Sequence, residues 1–87
     1  MNPNPAPDAP RTFDFRDLSP PDPLVRSLEE AIRLDPGDVI VVRTRFCPSF
    51  LLEELERRGL AHVSREVGEM DWTTEIRRPA DETEDAS

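Results

Sequence analysis

The sequence contains no lysine, one cysteine, one histidine and three isolated glycines. A single cysteine rules out an internal disulfide and any multi-cysteine zinc site. One histidine beside it is too few ligands for a metal centre, so none is expected. With no lysine and its 11 arginines scattered, the chain lacks the clustered cations whose counterion release drives binding to phosphate backbones, and nucleic acid is not an expected partner. The glycines stand singly at turn positions, leaving no Gly-rich loop to cradle a phosphate. No apolar run approaches the roughly 18 residues of a membrane-crossing helix, and the N-terminus has neither the basic nor the apolar segment of a secretion signal. A cytoplasmic protein with no membrane contact is expected. The carboxylate pairs Glu29/Glu30 and Glu53/Glu54 are neighbours on helices and diverge, so they make no acid–base dyad. With no nucleophile–base pair, no enzyme and no cofactor are expected.

At 87 residues there is room for one domain with one core. The apolar fraction, 36%, is low but uneven. Residues 1–11 are rich in proline and poor in bulky apolar groups, and 79–87 carry four acids and no base. Neither end can bury enough surface to offset its ordering entropy, so both are expected to be tails around a domain at 12–78. Asp8 and the four C-terminal acids supply five of the eight net negative charges, leaving the domain at about −3.

Within the domain, Thr12 to Leu18 begins with strand-like alternation, with Phe13 and Phe15 on one face. In Ser19-Pro-Pro-Asp-Pro23, Asp22 is the expected N-cap and Pro23 the first residue of a helix. Leu24, Leu28, Ala31 and Ile32, with Val25 at the margin, form its apolar face, and Glu29 can pair with Arg33. Asp35-Pro-Gly-Asp38 ends it. Val39–Val42 is a β-branched run, suited to a strand buried on both faces or central in a sheet covered on one. Leu51, Leu52 and Leu55 form the stripe of a second helix, with pairs Glu53/Arg57 and Glu54/Arg58 and Gly59 as its stop. Ala61, Val63 and Val67 then alternate with His62, Ser64 and Glu66, which puts His62 on the polar face. After a turn at Gly68–Asp71, Trp72, Thr74 and Ile76 share a face, making a hairpin. The expected fold is an α/β two-layer sandwich of order β-α-β-α-β-β, a four-stranded mixed sheet with both helices on one face.

That order, with the pairs Phe13-Asp14 and Pro36-Gly37, resembles the TusA/SirA-like superfamily of sulfur carriers, with Pro20-Pro-Asp-Pro23 standing where that family has Cys-Pro-x-Pro. Asp14-Phe-Arg-Asp-Leu-Ser-Pro-Pro-Asp-Pro23, Pro48 and Glu56-Arg-Arg-Gly59 resemble more closely an uncharacterised bacterial branch, a domain of unknown function without the carrier cysteine. In the carriers, the resemblance implies, a cysteine before the first helix is held as thiolate or persulfide by the helix terminus. Pro20 has no nucleophile, so that activity does not carry over.

The resemblance and topology together mark a candidate binding rim at Ser19, Pro20, Pro21, Asp22, Pro23, Arg45, Pro48 and Ser49. Both strand-to-helix loops leave a parallel arrangement at the same edge, where α/β ligand sites form. Cys47, the one thiol, is the candidate reactive group, at the expected N-cap of the second helix with Arg43 and Arg45 approaching. A half-buried packing residue between Phe46 and Phe50 is the alternative. In the closer branch its position is usually acidic. A Cys47–His62 pair has no support in the spacing. Trp72 reads as a ring capping the core, and Arg16, Arg65, Arg77 and Arg78 as solvated strand residues. The expected function is a non-enzymatic interaction module in sulfur- or cofactor-related metabolism, a monomer or weak homodimer whose partner is another protein. Sulfur transfer or redox work by Cys47 is the alternative.

Overall fold

The computed structural model describes residues 10–80, so the greater part of both expected tails (1–9 and 81–87) lies outside the described residues. Six elements follow in order: β1 (Arg11–Asp14), α1 (Asp22–Ile32), β2 (Val39–Thr44), α2 (Ser49–Arg57), β3 (Ala61–Gly68) and β4 (Asp71–Arg77). The strands form one mixed sheet in the order β1-β2-β4-β3. β1 runs parallel to β2, and β4 runs antiparallel to both β2 and β3. The expected α/β sandwich is the observed one. Among the described residues no helix is long and apolar enough to cross a membrane.

β2 decides how the layers stack. Ile40, Val42 and Thr44 are buried while Val39, Val41 and Arg43 are half-buried, so the β-branched run is covered on one side only. Ile40 lies opposite Ile76, and Val42 lies between Phe13 and Thr74. Ala31 from α1, Leu34 just beyond it, and Leu51 and Leu55 from α2 close over this face, with Phe15 and Leu60 completing the core. Each large aliphatic side chain so buried contributes about 1.5–3 kcal/mol. β1 is shorter than expected: the chain leaves the sheet after Asp14, although the Phe15 N–H still bonds Arg43 O at 2.9 Å and its ring stacks on Phe13.

α1 starts one residue earlier than expected. The Asp22 N–H is taken by Ser19 O at 2.8 Å, so Pro21 is the N-cap, Asp22 the first helical residue and Pro23 the second. The Asp22 carboxylate thus meets the helix's positive end from within its first turn. The buried stripe is centred on Ser27 and Ala31, flanked by Leu24 and Leu28. At about 100° per residue Ile32 falls at its margin and is 51% exposed. Arg33 turns back to Glu30 (3.7 Å) and Arg26 reaches Glu29 (3.9 Å), replacing the expected Glu29–Arg33 pair.

The following turn is closed by Asp38 N–H to Asp35 O (2.9 Å), with Gly37 at φ 90°, the left-handed third position of a type II turn. Arg78 fastens it. Its N–H bonds Asp38 O (3.1 Å), its carbonyl accepts from Gly37 (2.7 Å) and its Nε donates to Leu34 O (2.6 Å), so it is not a solvated strand residue. α2 ends in a Schellman motif: Gly59 at φ 77° donates to Glu56 O and Leu60 N–H to Leu55 O, with Leu55 and Leu60 both in the core. Glu54 takes both Arg57 (3.0 Å) and Arg58 (3.5 Å), so the expected Glu53–Arg57 pair is not made.

The hairpin reverses one expectation. His62, Ser64 and Glu66 stand opposite Ile76, Thr74 and Trp72, on the side the helices cover, while Val63 and Val67 face outward on the open side. A regular two-residue turn would pair Val67 with Trp72 and send Val63 to the core side. A bulge between Glu66 and Gly68 inserts one residue, and a shift of one exchanges the faces of the whole strand. The polar atoms brought inward find partners: the Ser64 and Thr74 hydroxyls are 2.8 Å apart and His62 Nε2 is 3.4 Å from Glu56 Oε2.

Ser27 Oγ is buried without a hydrogen-bond partner among the described residues. Ser27→Ala removes that unmet hydroxyl and adds helix propensity, so it is expected to raise stability by about 1 kcal/mol, read as a higher urea midpoint at constant m.

Candidate functional site

Because β1 and β2 are parallel, the loops that follow them emerge side by side. The first is tightened by the Ser19–Asp22 turn, which contains a cis Pro20–Pro21 peptide, and Val25 N–H returns to Pro21 O at 3.1 Å. The second is tightened by Thr44, whose buried hydroxyl donates to Phe46 O at 2.9 Å. Pro48, at φ −86° and ψ 65°, makes an inverse γ-turn in which Ser49 N–H reaches Cys47 O at 2.9 Å. Pro48 is therefore the N-cap of α2. Cys47 lies one residue outside the helix, not at the cap as expected.

Between the loops lies a cavity of about 390 Å³, within the size range of ligand pockets. Leu18, Pro20, Pro21, Pro23 and Leu24 form one wall, and Phe46, Cys47, Pro48, Ser49 and Phe50 the other. Phe15, Thr44 and Leu51 floor it, and Arg16 and Arg45 also line it. Of the rim residues, Ser19 and Asp22 are outside this lining; their backbone groups hold the turn instead. The walls are apolar, and Phe46 and Phe50 are 63% and 74% exposed. Their sequence reading as residues that bury Cys47 is corrected here: Cys47 is exposed. Nothing in the local pattern distinguishes a phenylalanine flanking a helix start inward from one left in water; only the γ-turn at Pro48 decides it.

The charged groups near the site belong mostly to the opposite face of the sheet. Arg16 clasps Asp14 through Nε (2.9 Å) and Nη2 (2.8 Å) and reaches Asp71 Oδ2 at 3.4 Å. Arg43 Nη2 also binds Asp71 Oδ2, at 2.6 Å. Asp71 Oδ1 is buried without a partner among the described residues. Arg43 therefore points away from Cys47 rather than toward it. Arg45 Nε donates to Arg16 O (2.7 Å), tying the two loops together. The contact recorded for the thiol is Ser49 Oγ at 3.8 Å from Sγ. His62 is not brought to it: Cys47 precedes α2, whereas His62 meets Glu56 in that helix's last turn, about 12 Å further along the axis. Trp72, half-buried, pairs with Thr44 and Glu66 on the covered side of the sheet. Among the described residues no three His, Cys, Asp or Glu side chains converge as metal ligands would. The Arg16–Asp14–Asp71–Arg43 network was not legible in the sequence, since its members lie on three elements.

Hydrogen bonds from Arg16, side chain then backbone, hold the Asp14 carboxyl well below the usual carboxylate range. The unfolded chain therefore takes up this proton at a higher pH than the fold does. The clasp's contribution is complete above the ordinary aspartate value of about 4 and fades as pH falls below it. Asp14→Asn is expected to lower stability slightly at neutral pH and to flatten the acid limb of stability against pH, measured by urea unfolding from neutral pH downward. An unchanged acid limb counts against the clasp.

No curated protein matches the chain. A family model described as an uncharacterized conserved protein (DUF2249) matches residues 12–78, which spans both helices and all four strands but for the first residue of β1. The chain belongs to the DUF2249 family.

Proposed function

We propose that this domain is a non-enzymatic binding module, a carrier-like scaffold without its nucleophile, that takes an apolar side chain of a partner protein into the groove between its two strand-to-helix loops. The observation that carries this reading is the pair Phe46 and Phe50, large rings left in water on a groove walled mainly by proline and leucine. Exposed apolar surface gathered at one concavity is a recognised mark of an interaction site. Arg45, whose exposed side chain lines the groove, favours a segment whose apolar anchor is flanked by carboxylates. The resemblance to sulfur carriers supports the same rim: Pro20, standing where they hold cysteine, lines this groove, so the site keeps a docking shape without the transfer chemistry. The setting we infer is cytoplasmic, bacterial and sulfur- or cofactor-related.

Titration of the labelled protein with a short peptide carrying two leucines between glutamates is expected to shift the amides of Leu18, Thr44, Phe46 and Leu51 saturably. The same peptide flanked by lysines is expected to bind more weakly. Phe46→Ala with Phe50→Ala should weaken binding by tenfold or more, about 1.4 kcal/mol, with little change in stability because both rings are exposed. Scattered shifts, or equal binding of the lysine peptide, count against the proposal.

One observation favours a second reading, sulfur transfer by Cys47: its exposed thiol lines the same groove, with Ser49 Oγ beside it. In that step the S–S bond of a donor persulfide breaks as the Cys47 thiolate takes the terminal sulfur, and the donor leaves as thiolate. Incubation with a cysteine desulfurase and cysteine separates the two. A gain of one sulfur by the wild type but not by Cys47→Ser supports transfer, and an unchanged mass supports the module.

A further inference from the structure

The two margins of the sheet differ. β1 offers four residues, whereas β3 offers eight, Ala61–Gly68, with neither proline nor lysine among them. No backbone group of β3 bonds anything among the described residues beyond its β4 partner. Such a margin is a template for another strand unless its sequence opposes pairing. Here the side chains favour one addition in particular.

A second copy that joins antiparallel about a two-fold axis normal to the sheet keeps every residue on its own face, so positions pair by reflection through a central residue. Centred on Ser64, the strand pairs with itself as Ala61 with Val67, His62 with Glu66, and Val63 with Arg65. Within the regular stretch the imidazole meets a carboxylate and no like charges lie directly opposite, and the apolar Ala61–Val67 pair falls at its bulged end. Other centres do worse. Arg65 or Glu66 at the centre faces its own charge, His62 faces its own ring, and Val63 leaves Glu66 and Val67 unmatched within the strand. Val63 and Val67, 53% and 52% exposed on the open face, lose water in this arrangement. The bulge beyond Glu66 sits at the hairpin end and leaves the central five positions regular.

We propose that β3 is a self-pairing edge, through which two copies of this chain join antiparallel about Ser64 into one continuous sheet of twice the four strands of a single copy. The rim groove lies on the loops after β1 and β2, across the sheet from this edge, so pairing leaves it open in both copies.

Sedimentation over a concentration series tests the pairing, with two substitutions at one exposed position. Val63→Lys sets lysine opposite Arg65 of the second copy at both symmetric sites, and is expected to weaken dimerisation roughly tenfold. Val63→Glu sets a carboxylate there and is expected to strengthen it by a similar factor. Within one copy the neighbour of Val63 on β4 is Glu75, so any effect on the fold itself runs the other way, with lysine favoured and glutamate disfavoured. Urea midpoints of dilute protein record that opposite order and separate folding from association. A wild type that stays monomeric throughout the series overturns the proposal, as does a dimer unaffected by either substitution or shifted in the same direction by both.

Discussion

One-sided coverage of β2 is the constraint from which the rest of the molecule follows. This strand carries both a parallel and an antiparallel neighbour, and only its Ile40–Val42–Thr44 face is buried. Both helices must therefore lie over that face, and the parallel pairing sends two strand-to-helix loops to a single edge. Thr44 links the layers to the site. Its side chain closes the covered face, while its hydroxyl turns the loop that presents Phe46.

The uncovered face has a different economy. Its half-buried charges are matched internally, Arg16 and Arg43 converging on Asp71, which joins the loop after β1, the strand β2 and the start of β4. Partly buried pairs of this kind contribute modestly to stability but are costly to leave half-made, and they fix where the hairpin sits relative to β1. The same arrangement withdraws Arg43 from the thiol side. Among the described residues Cys47 makes no hydrogen bond to an arginine; its side-chain neighbour is Ser49.

Most of the architecture was legible because local signals agreed: the Pro36-Gly37 and Gly59 stops, the leucine stripe of α2 and the β-branched run of β2 all point to the same fold. The failures share one origin, which is that a single residue's offset is invisible to periodicity. A bonded Asp22 N–H moved the cap to Pro21, a γ-turn moved it from Cys47 to Pro48, and one bulged residue turned His62 inward and Val63 outward. The rim was visible as a stretch of chain from loop topology and resemblance. Its aromatic exposure and its ion network were not, since both depend on contacts between residues distant in sequence.

The bonds around Arg78 have a consequence for motion. Gly37 donates to the Arg78 carbonyl and the Arg78 N–H to Asp38 O, while the guanidinium holds Leu34 O, so the exit of α1, the turn before β2 and the end of β4 share one clasp. Fraying of the last strand cannot then be a private event. It releases the amide of Gly37 and the Leu34 carbonyl just past α1 together, joining segments some forty positions apart in sequence into one cooperative opening unit whose protons are shielded, or lost to solvent, in concert.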